Sequence, residues 1–282
     1  MGLGLGLRLG LGGAGVLGAA GPTYDPDAMA WFEAVEATEA NFGPTPEIAA
    51  ANKTAWSNWV IAQKNAESPI AGRSNWDQLT EPGEGYIQPL MGVSAFNIPA
   101  LFGASQFTSF VAGDYDPATG LRGGEDRVLF AINRTWASTP TDDFSVGMWV
   151  TGAASSSTAD RLFGNPPVEV SRVQLFVDAR SFGKHESGIT STVGDRYHQG
   201  TFPRSAFMGR VDDSQYTVHN GQAYISVRPS TTAEPDDASF FADTLGNNNA
   251  NVRGGLVFYG RSIDLEAMNT ACVALSEAIV WP

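Results

Sequence analysis

The sequence predicts a mainly β protein, an antiparallel sandwich carrying helical segments towards both ends. Short alternating segments recur from residue 86 onward, and Gly, Asn and Asp separate them. The chain also holds 32 glycines and 16 prolines, a composition that makes turns frequent and strands short. At 282 residues, 43 % of them hydrophobic, it can bury one large core, or a core of about 200 residues plus an appended segment.

In chain order, residues 1–21 form a Gly-Leu leader. Leu3, Leu5, Leu7, Leu9 and Leu11 alternate with Gly2, Gly4, Gly6, Arg8 and Gly10. An extended chain places all five leucines on one face and leaves the other nearly bare. Such a strand is expected to be ordered only against a neighbour, as an anchoring or assembly segment. It reads poorly as a secretion signal, because its one basic residue lies mid-pattern and glycine dilutes the apolar run. No stretch reaches the roughly 18 consecutive apolar residues of a membrane span, so membrane insertion is not expected.

Residues 22–67 read as a helical hairpin. Asp25-Pro26 supplies an N-cap with proline at the first helical position, and Met29, Phe32 and Val35 form a stripe. A second helix is expected to start in the same way at Thr45-Pro46-Glu47, with Ile48, Ala55, Trp59 and Ala62 inward. Residues 68–85 are polar and turn-rich, and are expected to be a linker.

Residues 86–282 hold the expected sandwich and a closing helix. Strand candidates fall at 86–91, 107–113, 127–133, 144–151, 168–179, 204–211, 216–227 and 255–260. Within YTVHNGQAYISV, Asn220-Gly221 predicts a hairpin on a two-residue turn. The closing helix is expected over 262–281, with Leu265, Met268, Cys272, Leu275 and Ile279 on one stripe.

A net charge of −13 repels phosphate backbones and excludes nucleic-acid binding as an expectation. The one cysteine, Cys272, allows no internal disulfide and no Cys-based zinc site, and is read as a buried small hydrophobe. His185, His198 and His219 are scattered. No GxSxG elbow, P-loop or ExDxxE carboxylate pattern occurs, so the chain is not expected to be an enzyme.

Three stretches taken in order carry a family resemblance. FVAGDYDPATGLRGGEDRVLF (110–130), GRSNWDQLTEP (72–82) and GGLVFYGRSIDLEAMNTACVALSEAI (254–279) resemble segments of bacteriophage and prophage tail-fibre-like virion proteins. These carry a lectin-like sandwich of the concanavalin A/laminin-G-like jelly-roll class. A Gly-Leu-rich amino terminus recurs in them, and residues 152–210 align least. The resemblance implies a structural virion protein, made in the host bacterial cytoplasm. It would attach through its N-terminal strand to tail, baseplate or capsid proteins, form a homotrimer and present the sandwich to a host-surface glycan or receptor. A head-decoration, head-fibre or cement protein is the alternative of the same kind. A free bacterial lectin or glycan-active enzyme is the alternative of another kind.

Glycan binding needs aromatic platforms beside polar groups. Trp136 in NRTWAS, Tyr197 and His198 in DRYHQG, and the loop residues Asn247, Asn248 and Asn249 are the candidates. Trp56, Trp59 and Trp76 read as packing, the last where the linker meets the sandwich. No cofactor is expected apart from a weak Ca²⁺ candidate at Asp114 and Asp116, two carboxylates two residues apart. The simpler reading of that stretch is a polar turn opened by Asp116-Pro117 and closed by Gly120.

Overall fold

The computed structural model describes residues 22–38, 45–124, 127–135, 143–153, 160–164, 171–177, 181–187, 202–212, 215–219, 223–227, 237–241 and 252–281. The leader, Trp136, Tyr197, His198 and Asn247–Asn249 lie outside them.

Three helices come first: α1 (Pro26–Glu36), α2 (Ala50–Asn65) and α3 (Asn75–Leu79). Strands β1 (Tyr86–Pro89), β2 (Ser105–Thr108), β3 (Tyr115–Asp116), β4 (Gly120–Arg122), β5 (Val128–Thr135) and β6 (Phe144–Ala153) follow. Then come β7 (Asp160–Gly164), β8 (Ser171–Val177), β9 (Ser181–Ser187), β10 (Arg204–Arg210), β11 (Gln215–His219) and β12 (Ala223–Val227). The last elements are β13 (Asp237–Phe240), β14 (Val252–Gly260) and helix α4 (Leu265–Ala278). The chain is thus mainly β, with antiparallel pairing throughout the described ladders.

The strands form two sheets. The first runs β12-β11-β10-β6-β14-β4-β3, with β1 sharing the β4 side of β14. The second runs β2-β5-β13-β7-β8-β9. The central strands β6, β10 and β14 of the first sheet are buried on both faces. Val146, Met148, Val150, Met208, Val257 and Tyr259 point towards Leu129, Ala131 and Phe240 of the second sheet. The alternate residues Trp149, Phe207, Leu256, Phe258 and Ile87 point the other way, into a cluster with the helices. Period-two alternation sends successive side chains to opposite faces, so one strand can serve two cores.

The helical side of that sheet is dominated by aromatics. Trp31 of α1 meets Trp56 of α2 at 5.6 Å between ring centroids, and Trp56 meets Trp59 at 5.8 Å. Both contacts are edge-on, the favoured aromatic geometry. The Trp56 and Trp31 ring N–H groups donate to the Met91 and Pro99 carbonyls. From α4, Leu265, Met268, Cys272 and Leu275 complete the layer, so the expected stripe of the closing helix is present. Burial pushes the Cys272 thiol up to about 12, against a partial offset from the neighbouring Trp59 indole.

Several elements differ from expectation, each for a local reason. In α1 the buried face is Ala28, Trp31, Phe32 and Val35, and Met29 is exposed, because the helix turns its Trp31 ring inward. Helix α2 starts at Ala50 rather than Thr45, since Glu47 is tied as extended chain to Ser94. The Glu47 amide donates to Ser94 Oγ at 2.7 Å, and the Ser94 amide to the Glu47 carbonyl at 2.9 Å. The strand expected at 107–113 is cut short at Thr108, where Ser109 adopts a φ of 62°. The hairpin β11–β12 is present, but His219 pairs with Ala223, one residue longer than a two-residue turn allows. Across 68–85, where a linker is expected, the chain forms α3 and buries Leu79 in the helical cluster.

Gly147 is the point on which the aromatic layer closes. It faces Phe207 across one ladder and Phe258 across the other. The two rings meet above it at 5.0 Å between centroids. A Cβ there would lie 2.4 Å from Phe207 Cδ1 and 2.6 Å from Phe258 Cζ. Gly147→Ala should therefore cost about 1–3 kcal/mol by overpacking, read as a lower urea midpoint at unchanged slope. A change within about 0.5 kcal/mol would show that the rings part freely.

Candidate functional site

The site is built around α3. Before it, residues 66–75 fold back on themselves, with the Asn75 amide donating to the Ala66 carbonyl and the Ser68 amide to the Arg73 carbonyl, both at 2.9 Å. Gly72 takes a φ of 77° in this turn. Ser74 then caps α3 reciprocally: its hydroxyl accepts from the Asp77 amide, and its own amide donates to Asp77 Oδ2 at 2.8 Å.

This arrangement sets half-buried Trp76 beside the last turn of α2 and the first turn of α1. Lys64 Nζ lies 5.5 Å from the Trp76 ring centroid. It also pairs with Asp25 at 2.8 Å and Asp27 at 2.6 Å. Burial lowers the Lys64 pKa, but the bonds to Asp25 and Asp27 outweigh it and hold the ammonium above its ordinary value. Arg73 pairs with Glu81 and donates to the Asp77 carbonyl. Trp76, Lys64, Arg73, Asp27 and Asp77 line an open groove of about 860 Å³. A second hollow of about 460 Å³ lies between Glu67–Pro69, the end of β10 at Gly209–Val211, and Ile263–Glu266 at the start of α4.

Beneath these hollows a polar seam joins the helices to the sheet. Asn75 Oδ1 accepts from the Asp264 amide at 2.8 Å, and Asn75 Nδ2 donates to the Asp264 carbonyl at 3.1 Å and to Gln63 Oε1 at 3.2 Å. The Ile263 amide donates to Ser145 Oγ, and the Ser262 amide to Asp143. Arg261 forms a two-pronged pair with Glu84. Asp264 in turn accepts from the Glu266 and Ala267 amides and caps α4.

Of the candidate binding and metal residues expected from the sequence, Asp114 and Asp116 are described. They lie on and beside the β3–β4 hairpin, at the amino-terminal half of β14, whereas the second hollow borders the chain leaving its other end. Asp114 Oδ2 accepts from the Val111 amide at 2.9 Å and pairs with Arg127 Nε at 2.6 Å. Asp116 Oδ1 accepts from the Ala118 and Thr119 amides, each at 2.9 Å. Burial raises the Asp116 pKa, but the bonds from Thr119 and Ala118 and the charge of Arg253 outweigh it and hold the carboxyl below its usual range. Among the described residues, no group of three or more His, Cys, Asp or Glu is placed to hold a metal ion. In the same residues, no helix is long and apolar enough to cross a membrane.

The sequence alone does not point to the groove residues Lys64, Arg73 and Asp77, and it assigns Trp76 to packing. Trp76 does pack against the helical cluster, and it lines the groove as well. The signal lay in Ser74-x-x-Asp77, a capping pattern that marks a helix start inside a polar stretch.

No family model matches the chain, and no curated protein does. Among solved structures, a Trypanosoma rangeli sialidase mutant with trans-sialidase activity matches at 12 % identity and a TM-score of 0.46. That match covers 83 % of this chain and 39 % of the sialidase. Trypanosoma rangeli sialidase itself matches at 11 % identity and a TM-score of 0.47, over 81 % of this chain and 38 % of that one. Domain 4 of AbnA, a GH43 extracellular arabinanase from Geobacillus stearothermophilus in complex with arabinotriose, matches at 10 % identity and a TM-score of 0.30. There the cover is 72 % of this chain and 94 % of that domain. The chain thus spans about two-fifths of the length of the sialidases it matches.

The expectation that the chain is not an enzyme is corrected on this finding, because the solved structures matching most of it are sialidase and trans-sialidase enzymes. The physical fault lies in using a missing motif as an exclusion. An ExDxxE pattern records carboxylates on one strand, whereas Glu67 and Glu266 line the same hollow from segments far apart in sequence.

The bonds from the Ser74 amide and hydroxyl hold the Asp77 carboxyl below its usual range. With the folded value lowered, this stabilisation is complete above the ordinary Asp value of about 3.9 and is lost as pH falls through the folded value. An NMR titration should find Asp77 ionising below that ordinary value, and Ser74→Ala should move it part of the way back. An unshifted Asp77 would contradict the capping geometry.

Proposed function

We propose that the chain is a glycan-recognising sandwich whose binding surface is the groove at α3. The observation that carries this reading is the half-buried Trp76 indole in an open hollow, ringed by the ammonium of Lys64, the guanidinium of Arg73 and the carboxylates of Asp27 and Asp77. A sugar ring offers an apolar C–H face to an indole and hydroxyls to charged donors and acceptors around it. The concanavalin A/laminin-G-like jelly-roll class belongs to the same proposal. It is supported by the chain crossing between sheets from β5 to β6, β6 to β7 and β13 to β14, as double-sheet jelly rolls do.

Trp76→Ala should weaken glycan binding about tenfold or more, measured by calorimetry against a ligand chosen from an oligosaccharide array. Trp76→Phe should retain part of it. Thermal melts must show both variants folded at the assay temperature. Undiminished binding by folded Trp76→Ala would move the site elsewhere.

A second reading places the same sandwich on a bacteriophage particle, as a tail fibre or head-decoration protein held by residues 2–11. It is supported by the three resembling stretches, which meet in space. The β4 segment of the first pairs with β14, and Asn75 in the second is bonded to Asp264 in the third. Finding the chain in purified particles would support this reading, and finding it only free in lysates would contradict it.

A further inference from the structure

Five side-chain amides are fully buried among the described residues: Asn52, Gln63, Asn75, Gln78 and Gln88. An amide taken out of water needs a partner for each of its polar atoms. Three of the five find theirs within the protein. Asn52 donates to the Gly92 and Val280 carbonyls and accepts from the Val280 amide. Asn75 donates to Gln63 and to the Asp264 carbonyl, and accepts from the Asp264 amide. Gln88 donates to the Pro89 carbonyl and accepts from the Ser105 hydroxyl. The exceptions are Gln63, whose Nε2 is unmatched, and Gln78, whose Nε2 and Oε1 both are.

The two exceptions are neighbours. Gln63 Oε1 lies 3.2 Å from Asn75 Nδ2. Gln78 follows Asn75 by three residues, so α3 carries both on one buried face. The groups around them are already committed. Asn75 spends both side-chain N–H bonds, on Gln63 and Asp264. The main-chain amide of Gln78 donates to the Ser74 carbonyl, and its carbonyl accepts from the Arg261 amide.

What remains is two nitrogens that donate and one oxygen that accepts. A metal cation calls for several oxygens, and this pair offers one. Neither glutamine carries a charge to offset the burial of an ion. A water molecule accepts from two N–H groups and donates to an oxygen, and about three such bonds are what a buried water makes.

We infer that a single internal water bridges Gln63 and Gln78 and ties α3 to α2. The site is independent of the glycan reading, because neither glutamine lines the two hollows at α3. It extends the polar seam beneath that helix. The element that carries Trp76 is then pinned from below twice, by Asn75 and by this water.

Two measurements on the full chain test the inference. A crystal structure should show one ordered water within about 3.2 Å of Gln63 Nε2 and of a Gln78 amide atom. In solution, NOE and ROE cross-peaks of opposite sign should link water to the side-chain N–H protons of Gln63 and Gln78, as for a long-lived bound water, and spare those of Gln88. Gln78→Met keeps the length of the side chain and removes the amide. It should abolish the Gln63 cross-peak, since a water left with one partner is not held. Density in which the two glutamines bond directly to the protein, or to separate waters, would overturn the inference. So would a Gln63 cross-peak that survives in Gln78→Met. If that variant fails to fold, the density and the wild-type spectra decide the matter alone.

Discussion

Phe207 and Phe258 close over Gly147, and this contact on the helical face of the first sheet is what the remaining architecture is arranged around. A sheet with an apolar row on each face must be covered twice. The second sheet covers one side with Leu129, Ala131 and Phe240. The helices cover the other with Trp56, Trp59, Met268 and Leu275. Leaving either row in water would forfeit about 25 cal/mol for each Å² of apolar area. The helical segments are therefore part of the same core as β6, β10 and β14.

Covering a sheet with helices creates a second demand, because the backbone joining them must satisfy its polar groups under the cover. The turn from β14 into α4 meets this demand with side chains. Asn75, Ser145 and Asp143 take the amides of Asp264, Ile263 and Ser262. Asn75 is fully buried and makes its bonds from the first turn of α3. Where α3 sits is thus fixed by the needs of the β14–α4 turn. Trp76, the residue after Asn75, is carried to the groove as a consequence, and the site inherits its position from the packing of the sheet.

Much of this was legible in the sequence. The alternation in FSVGMWVT and GLVFYG marked β6 and β14, Asp25-Pro26 marked the start of α1, and the stripe from Leu265 to Leu275 marked α4. What was not legible depended on partners distant in the chain. Thr45-Pro46 has the form of a helix start, but Ser94 holds Glu47 extended. Met29 fits a helical stripe, yet the neighbouring Trp31 has the larger surface to bury and a carbonyl to reach at Pro99. Alternation marked β6 without telling which of its faces met helices, so the helical hairpin read as an appendage. The groove was hidden for the same reason, since Asp27, Lys64 and Trp76 converge only through the fold.

The central claim is that the helices and the first sheet share one core and unfold together. Native-state hydrogen exchange measures this directly. The slowest amides of α2 and α4 should exchange with the same opening free energy and denaturant dependence as those of β6 and β14, equal to global unfolding. Exchange of the helical amides through a separate opening, with a smaller free energy and a shallower denaturant slope while the sheet stays protected, would contradict the account.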